Sequence, residues 1–243
     1  MRSSATRGLA RVRKNWPVTP ALNRTAKQLF APISRNYERW ATLLSLGQDP
    51  RWRTEMVAAL EVPPEASVLD VAAGTGAITR LLEARGACVI ATDQSIEMLR
   101  GARQRGATVV QGNAVRLPFP DASFDAVTFG YLLRYVEPAA ALGELVRVLR
   151  PGGAIGMVEF GRPGGIWGPF WWLYTRLILP AAGAVIGSGW REVGLFLGPS
   201  IDAFHRSFPG DQLAELWRSA GLTDVRVARR SLGGGVLMWA RKA

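Results

Sequence analysis

Cysteine is almost absent from this chain: Cys88 is the only one in 243 residues. One thiol excludes an intramolecular disulfide framework and any cysteine-built zinc centre. Cys88 stands in the apolar run CVIAT, so a buried, inert thiol is expected. Histidine is as scarce. His205 is the sole example, and its neighbours Ala203, Phe204 and Phe208 suit a packed or surface ring better than a base. With no His/Cys/Asp cluster, no metal is expected. Uninterrupted apolar runs are missing too. A spanning helix needs about 18–20 apolar residues. The most apolar stretch, 161–199, is broken by Pro163, Pro169, Arg176 and Pro180. Acids are lacking at the start, where Glu38 is the first.

The charge is accordingly lopsided. The net charge is +11, and eight basic residues lie between Arg2 and Arg35. An acid-free basic arm fits an anionic surface, either lipid headgroups or nucleic acid. It equally fits a solvated tail, or an organellar presequence, since MRSSATRGLARVRK carries Arg and Ser without an apolar core. The missing apolar core excludes a secretory signal. Arginine far outnumbers lysine along the whole chain, which reads as a genome-composition effect. The expected setting is the bacterial cytoplasm, with peripheral contact to the inner face of the membrane as an extension. The sequence implies no oligomeric state.

What is present is a pattern of alternating strands and helices. Residues 1–20 are polar, basic and Pro-broken, which predicts a disordered arm. Residues 21–64 form an N-terminal helical lid: a helical pattern from Ala21, a break at Gly47, Asp49 and Pro50, then a helix over 51–60. Residues 65–243 form the main domain. Its strands are predicted at 67–71, 88–92, 108–111, 125–130 and 154–160. Helices are predicted at 77–85, 95–105 (Ser95 as N-cap) and 139–149. The region 161–199 holds Trp167, Phe170, Trp171, Trp172, Tyr174 and Trp190, and reads as a helical cap. Such a cap can also line an apolar pocket or dip into a membrane interface. A helix over 210–220 and a hairpin of 222–229 with 235–241, turned by Gly233-Gly234-Gly235, complete the chain. Short loops between alternating elements imply an α/β, Rossmann-like doubly wound sheet, mostly parallel and covered on both faces.

VLDVAAGTGAIT, residues 68–79, is a strand, a small-residue turn and a helix start. Backbone groups of Ala72, Gly74, Thr75 and Gly76 can approach a ligand there without Cβ interference. The dinucleotide fingerprint needs a third glycine where Thr79 stands, and no Walker A lysine follows. A nucleotide cofactor without phosphates needs no phosphate cradle, and S-adenosyl-L-methionine fits. Asp70 can accept from its ammonium. Asp93, ending the second strand, suits the ribose hydroxyls, with Gln94 and Met98 just beyond it. Asn113 and the Ala114 backbone suit the adenine edge.

With those residues the chain resembles class I S-adenosylmethionine-dependent methyltransferases. More narrowly it resembles the ubiquinone/menaquinone biosynthesis C-methyltransferase family. The matching pieces span about residues 27–242: LSLGQDPRWR, VLDVAAGTG, GNAVRLPFPDASFDAVT, GYLLRYV, ELVRVLRPGG, LILPAAGAVIG, PSIDAF and GGGVLMWARK. The resemblance implies a seven-stranded sheet with an antiparallel last strand, and methyl transfer to a ring carbon of a prenylated quinol. Departures concentrate in the acceptor half. Leu-Arg-Tyr at 133–135 replaces the family's Leu-Arg-Asn, and Tyr37-Glu38 replaces a tyrosine–aspartate pair.

Arg134, after the fourth strand, is assigned to stabilising a phenolate or holding a water, since its guanidinium is not a base. A salt bridge to a lid acid is its structural alternative. Glu159, ending the fifth strand, can contact the acceptor or cap the next loop. Tyr37 and Tyr131 can close over the cofactor. Rival functions are methylation of another small-molecule or lipid acceptor, and a non-catalytic membrane-associated binding protein of the same fold. A nucleic-acid methyltransferase is disfavoured, because no Asn/Asp-Pro-Pro-aromatic motif is present and Cys88 lies on a strand.

Overall fold

The computed structural model describes residues 20–243, with side chains from residue 23 onward. The expected disordered arm therefore lies outside the described residues, apart from Pro20, which opens the first helix.

The N-terminal region contains α1 (Pro20–Phe30), a 3-10 turn (Ser34–Asn36), α2 (Tyr37–Leu44) and α3 (Gln48–Ala59). Pro32 ends the first run early, because proline can neither donate the next helical hydrogen bond nor follow an α-conformer comfortably. Pro50, expected to break the chain, instead sits in the first turn of α3, where its missing N–H has no partner to lose. Gly47 turns the chain between α2 and α3 at φ +73°.

The main domain follows as β1 (Ser67–Val71), α4 (Ala77–Glu83), β2 (Cys88–Asp93), α5 (Ile96–Arg103), β3 (Thr108–Gln111), β4 (Phe124–Gly130), α6 (Pro138–Val148) and β5 (Leu149–Phe160). A cap then runs through α7 (Gly168–Leu173), a π-helical turn (Tyr174–Ile178), α8 (Leu179–Ile186) and α9 (Trp190–Ser207). The chain closes with α10 (Gln212–Ser219), β6 (Leu222–Arg230) and β7 (Gly235–Lys242). The sheet has seven strands in the order β3-β2-β1-β4-β5-β7-β6. β7 runs antiparallel to both its neighbours, while the other pairings are parallel. Chain direction across the sheet reverses its sequence order between β1 and β4, and a crevice opens at that switch point. Among the described residues no helix is long and apolar enough to cross a membrane.

Strand side chains alternate between faces. Leu69, Val127 and Met157 face α6 and α10, where Leu142, Leu145 and Trp217 are buried. Val68, Ala126 and Val158 face α3 and α4, against Met56, Leu60 and Leu82. The same alternation corrects the expectation for Cys88. It is the first residue of β2 and points outward beside buried Val89, so the thiol is exposed.

Helix α3 lies close on the sheet because glycine makes room for it. A Cβ on Gly235 would meet the Trp52 ring at 2.6 Å, and one on Gly156 would meet Met56 Sδ at 2.7 Å. Gly235 thus begins β7, and the turn expected at 233–235 falls on Ser231–Gly233 instead. Trp52 Nε1 donates to Ser231 Oγ at 3.1 Å and Trp239 Nε1 to the Met56 carbonyl at 2.9 Å. These contacts fix α3, and with it Asp49 and Arg53, over the crevice.

Candidate active site

A cavity of about 500 Å³ opens at the carboxyl ends of β1, β2 and β4. At one end is the glycine turn. Ala72 adopts φ +54°, and Gly74 and Gly76 adopt +58° and +83°. Left-handed backbone at a non-glycine residue is costly and concentrates at binding sites. Tyr131, directly after β4, is a second such residue at φ +56°.

Ala72, Gly74, Thr75, Asp93, Gln94, Met98, Asn113, Ala114 and Tyr131 all line the cavity, as do Tyr37 and Arg134. The carboxylate of Asp93 accepts from the Gly74 amide at 3.0 Å and the Ser95 amide at 2.8 Å. Burial raises its pKa, and those backbone donors oppose the rise. Ser95 caps α5 as expected, accepting from the Met98 amide at 3.3 Å. Asn113 lies on the wall, but its side-chain oxygen already accepts from the Val115 amide at 3.2 Å.

Three named residues stand behind the wall. Gly76 shapes the turn from below, with Ala102 Cβ 3.2 Å from where its own Cβ would be. Asp70 is fully buried, and its oxygens accept from Thr79 Oγ1 at 2.7 Å and Thr128 Oγ1 at 2.9 Å. It therefore braces the turn from beneath. Burial pushes its carboxyl up to about 6, against the pull of those hydroxyls. Glu159 pairs with Arg134 at 2.8 Å, both side chains being 1% exposed. Burial raises the Glu159 carboxyl and the Arg134 charge opposes this. The partner of Arg134 is thus a strand acid, not a lid acid, and Ser200 Oγ on α9 accepts a second bond from its guanidinium at 3.0 Å.

The lid supplies groups that sequence reasoning passed over. Glu38 accepts from Thr75 Oγ1 at 2.6 Å and pairs with Arg80 at 2.5 Å. Asp49 and Arg53, one turn apart on α3, are buried and joined at 2.8 Å. The Tyr131 hydroxyl donates to Asp49, and the Arg53 guanidinium lies 5.2 Å from the Tyr131 ring centroid. The i, i+4 spacing of Asp49 and Arg53 was visible in LSLGQDPRWR. Burial raises the Tyr37 and Tyr131 phenols, and it pushes Tyr135 up to about 12. These phenols are therefore neutral at neutral pH. His205 lies off the wall, its Nε2 within 2.8 Å of the Phe160 carbonyl oxygen, and burial lowers its pKa.

The far end of the cavity is aromatic and apolar. Phe30, Tyr135, Phe160, Trp167, Phe170 and Trp171 contribute to it. Its rim is exposed: Phe170 is 65% accessible and Leu46 78%.

The turn-side end suits a zwitterionic, cationic nucleoside. It offers a carboxylate at Asp93, backbone freed by left-handed residues, and the buried, unpartnered hydroxyl of Thr92 on the wall. The comparisons agree. The sequence model of the ubiE/COQ5 methyltransferase family matches residues 19–242. A protein of Mycobacterium sp. (strain JLS) named demethylmenaquinone methyltransferase is 40% identical over 212 residues, covering 86% of this chain and 89% of that one. A protein of the same name from Streptomyces avermitilis is 38% identical over 216 residues, covering 86% and 90%. Among solved structures, a possible histamine N-methyltransferase from Thermotoga maritima superposes with a TM-score of 0.62 at 22% identity, covering 88% of this chain and all (100%) of that one. Phosphoethanolamine N-methyltransferase 2 of Haemonchus contortus, bound to S-adenosyl-L-methionine, gives 0.58 at 14% identity, covering 79% and 52%. At those identities the structures establish the shared fold. The family match and the relatives establish more: the chain belongs to the ubiE/COQ5 methyltransferase family and is an S-adenosylmethionine-dependent methyltransferase of quinone biosynthesis.

Proposed function

We propose that this enzyme methylates a ring carbon of a prenylated quinol of the demethylmenaquinol type. The observation that carries this reading is the single cavity that runs from the glycine turn to the aromatic cap. Its polar end suits the cofactor and its apolar end an isoprenoid-substituted ring. The names of the relatives from Mycobacterium and Streptomyces support the same acceptor.

S-adenosylmethionine, when bound, supplies a methyl group already activated on a sulfonium. The chain's own residues then have to position, desolvate and polarise the acceptor. Asp93 and the backbone around Thr75 and Ala114 would hold the cofactor's nucleoside end. Tyr135 and Phe196 stack at 5.8 Å and Tyr37 and Trp190 at 6.1 Å, backing the acceptor end with aromatic rings. Arg134, buried and aimed at the cavity by Glu159 and Ser200, favours the ionised form of an acceptor hydroxyl.

The exposed face of the cap gives the apolar acceptor a route. Trp167 and Phe170 line the cavity and are exposed, as are Trp172, Leu173 and Leu177 of the same cap, and Arg162 and Arg191, beside Asp202 and Glu192, are exposed too. An aromatic patch with arginines suits the headgroup zone of a bilayer, from which a prenylated ring can enter directly.

The test is incubation of the protein with methyl-labelled cofactor and reduced demethylmenaquinone. A product heavier by one methylene unit, with the label on the ring carbon, is expected. Label on oxygen, or transfer only to other acceptors, rejects the proposal.

A further inference from the structure

A quinol ring carbon becomes nucleophilic when its neighbouring hydroxyl gives up a proton. Arginine does not accept that proton. Among the described residues lining the cavity the carboxylates are Asp49 and Asp93. Asp93 is at the nucleoside end, held by the Gly74 and Ser95 amides. Asp49 is at the other end. It is 7% exposed, is oriented by Arg53 and accepts the Tyr131 hydroxyl. Tyr131 in turn is pinned by its left-handed backbone and stacks on Phe160 at 4.5 Å.

We infer that Asp49 is the proton acceptor of the reaction, working through Tyr131, which contacts the acceptor hydroxyl. This rests on the quinol reading above. As the hydroxyl proton passes to Tyr131 Oη, the Tyr131 proton passes to Asp49. The ring carbon–methyl bond forms as the sulfonium–methyl bond breaks. The methylated ring is then a dienone whose methylated carbon still carries its original hydrogen. Loss of that C–H proton to water, with return of the stored proton from Asp49 through Tyr131 to the dienone oxygen, restores the aromatic quinol. One proton is released overall, which balances the lost sulfonium charge.

The groups facing Asp49 are Arg53 on its own helix, Tyr131 after β4 and Tyr37 on α2, with Arg134 beyond Tyr131. Arg53 keeps the carboxylate in place and Tyr131 connects it to the cavity. Tyr131 is thereby an acceptor-side residue, in place of its expected role over the cofactor.

The experiment compares wild type, Asp49→Asn and Tyr131→Phe in single-turnover methylation of reduced demethylmenaquinone across a range of pH. Both variants are expected to retain cofactor affinity by calorimetry and to lose roughly 10²–10⁴-fold in rate. The rate of Asp49→Asn is expected to climb with pH where the wild type is level. An acceptor with a more acidic, fluorinated ring should narrow the deficit in both variants. Tyr131→Phe leaves the Asp49–Arg53 pair intact, so it remains informative if Asp49→Asn folds poorly. Rates within a few-fold of wild type, or a deficit indifferent to acceptor acidity, overturn the inference. Failure of wild type to methylate the quinol carbon overturns the functional reading itself.

Discussion

Glu38 on α2 accepts a hydrogen bond from Thr75 in the glycine turn at 2.6 Å, so the lid is latched to that turn. Arg80 completes the latch from α4. Replacing Glu38 with alanine should weaken cofactor binding about fivefold, the worth of ~1 kcal/mol for a partly exposed charged contact. Burial pushes the Glu38 carboxyl up, but the bonds from Arg80 and Thr75 outweigh it and hold it below its ordinary value. The contribution is therefore present above the ordinary carboxylate range and fades as pH falls through the lowered value. Calorimetric titration of the cofactor at several pH values, for wild type and Glu38→Ala, measures both effects.

Arg134 and Glu159 form an ion pair with 1% exposure on each side. Removing one member leaves a buried charge without its partner, which costs about 3–5 kcal/mol. Arg134→Ala should lose that much stability in urea titration and lose turnover too. An Arg134→Met, Glu159→Leu double variant should regain most of the stability, because a well-packed apolar pair is nearly neutral. It should stay inactive. Recovery of methyl transfer in the double variant removes Arg134 from the chemistry.

Asp70 carries a carboxyl raised to about 6 by burial. Its native form holds a proton over a pH range where the unfolded chain, with an ordinary aspartate, has released it. Unfolding stability therefore falls as pH rises from about 4 to about 6, at up to ~1.4 kcal/mol per pH unit. Asp70→Asn should flatten that slope while keeping Thr79 and Thr128 hydrogen bonded. Urea midpoints at mildly acidic and neutral pH check it.

Phe170 and Trp172 are 65% and 56% exposed on the cap. Serine at both should reduce sedimentation with vesicles containing anionic lipid by at least about tenfold, given ~1.5–3 kcal/mol for each fully buried large apolar side chain. Turnover on a quinol carrying a short, soluble side chain should be unaffected by Trp172→Ser, which lies off the cavity wall. Unchanged sedimentation separates the patch from any membrane.

Much of the fold was legible because its signals are local. Ser95 announces α5 by its own hydroxyl, and the order of turn, Asp93 and Asn113 follows from strand ends that recur every few elements. Cys88 misled because an apolar pentapeptide on a strand hides its alternation; one face of CVIAT looks outward at its start. Pro50 misled because proline marks both the breaking and the beginning of helices. The acceptor network was harder to read for a physical reason. Asp49 and Tyr131 are 82 residues apart and meet only once α3 settles against Gly156 and Gly235. Arg134 and Glu159 were each singled out, but their pairing depends on the neighbouring ends of β4 and β5.

Tyr37 and Glu38 are consecutive residues with different attachments, the first on the cavity wall and the second behind the glycine turn. Tyr37 stacks on Trp190 of the cap at 6.1 Å, and Glu38 grips the glycine turn. A displacement of α2 that broke one of these contacts would strain the other. The cap and the glycine turn are consequently tied to each other through two adjacent residues of α2.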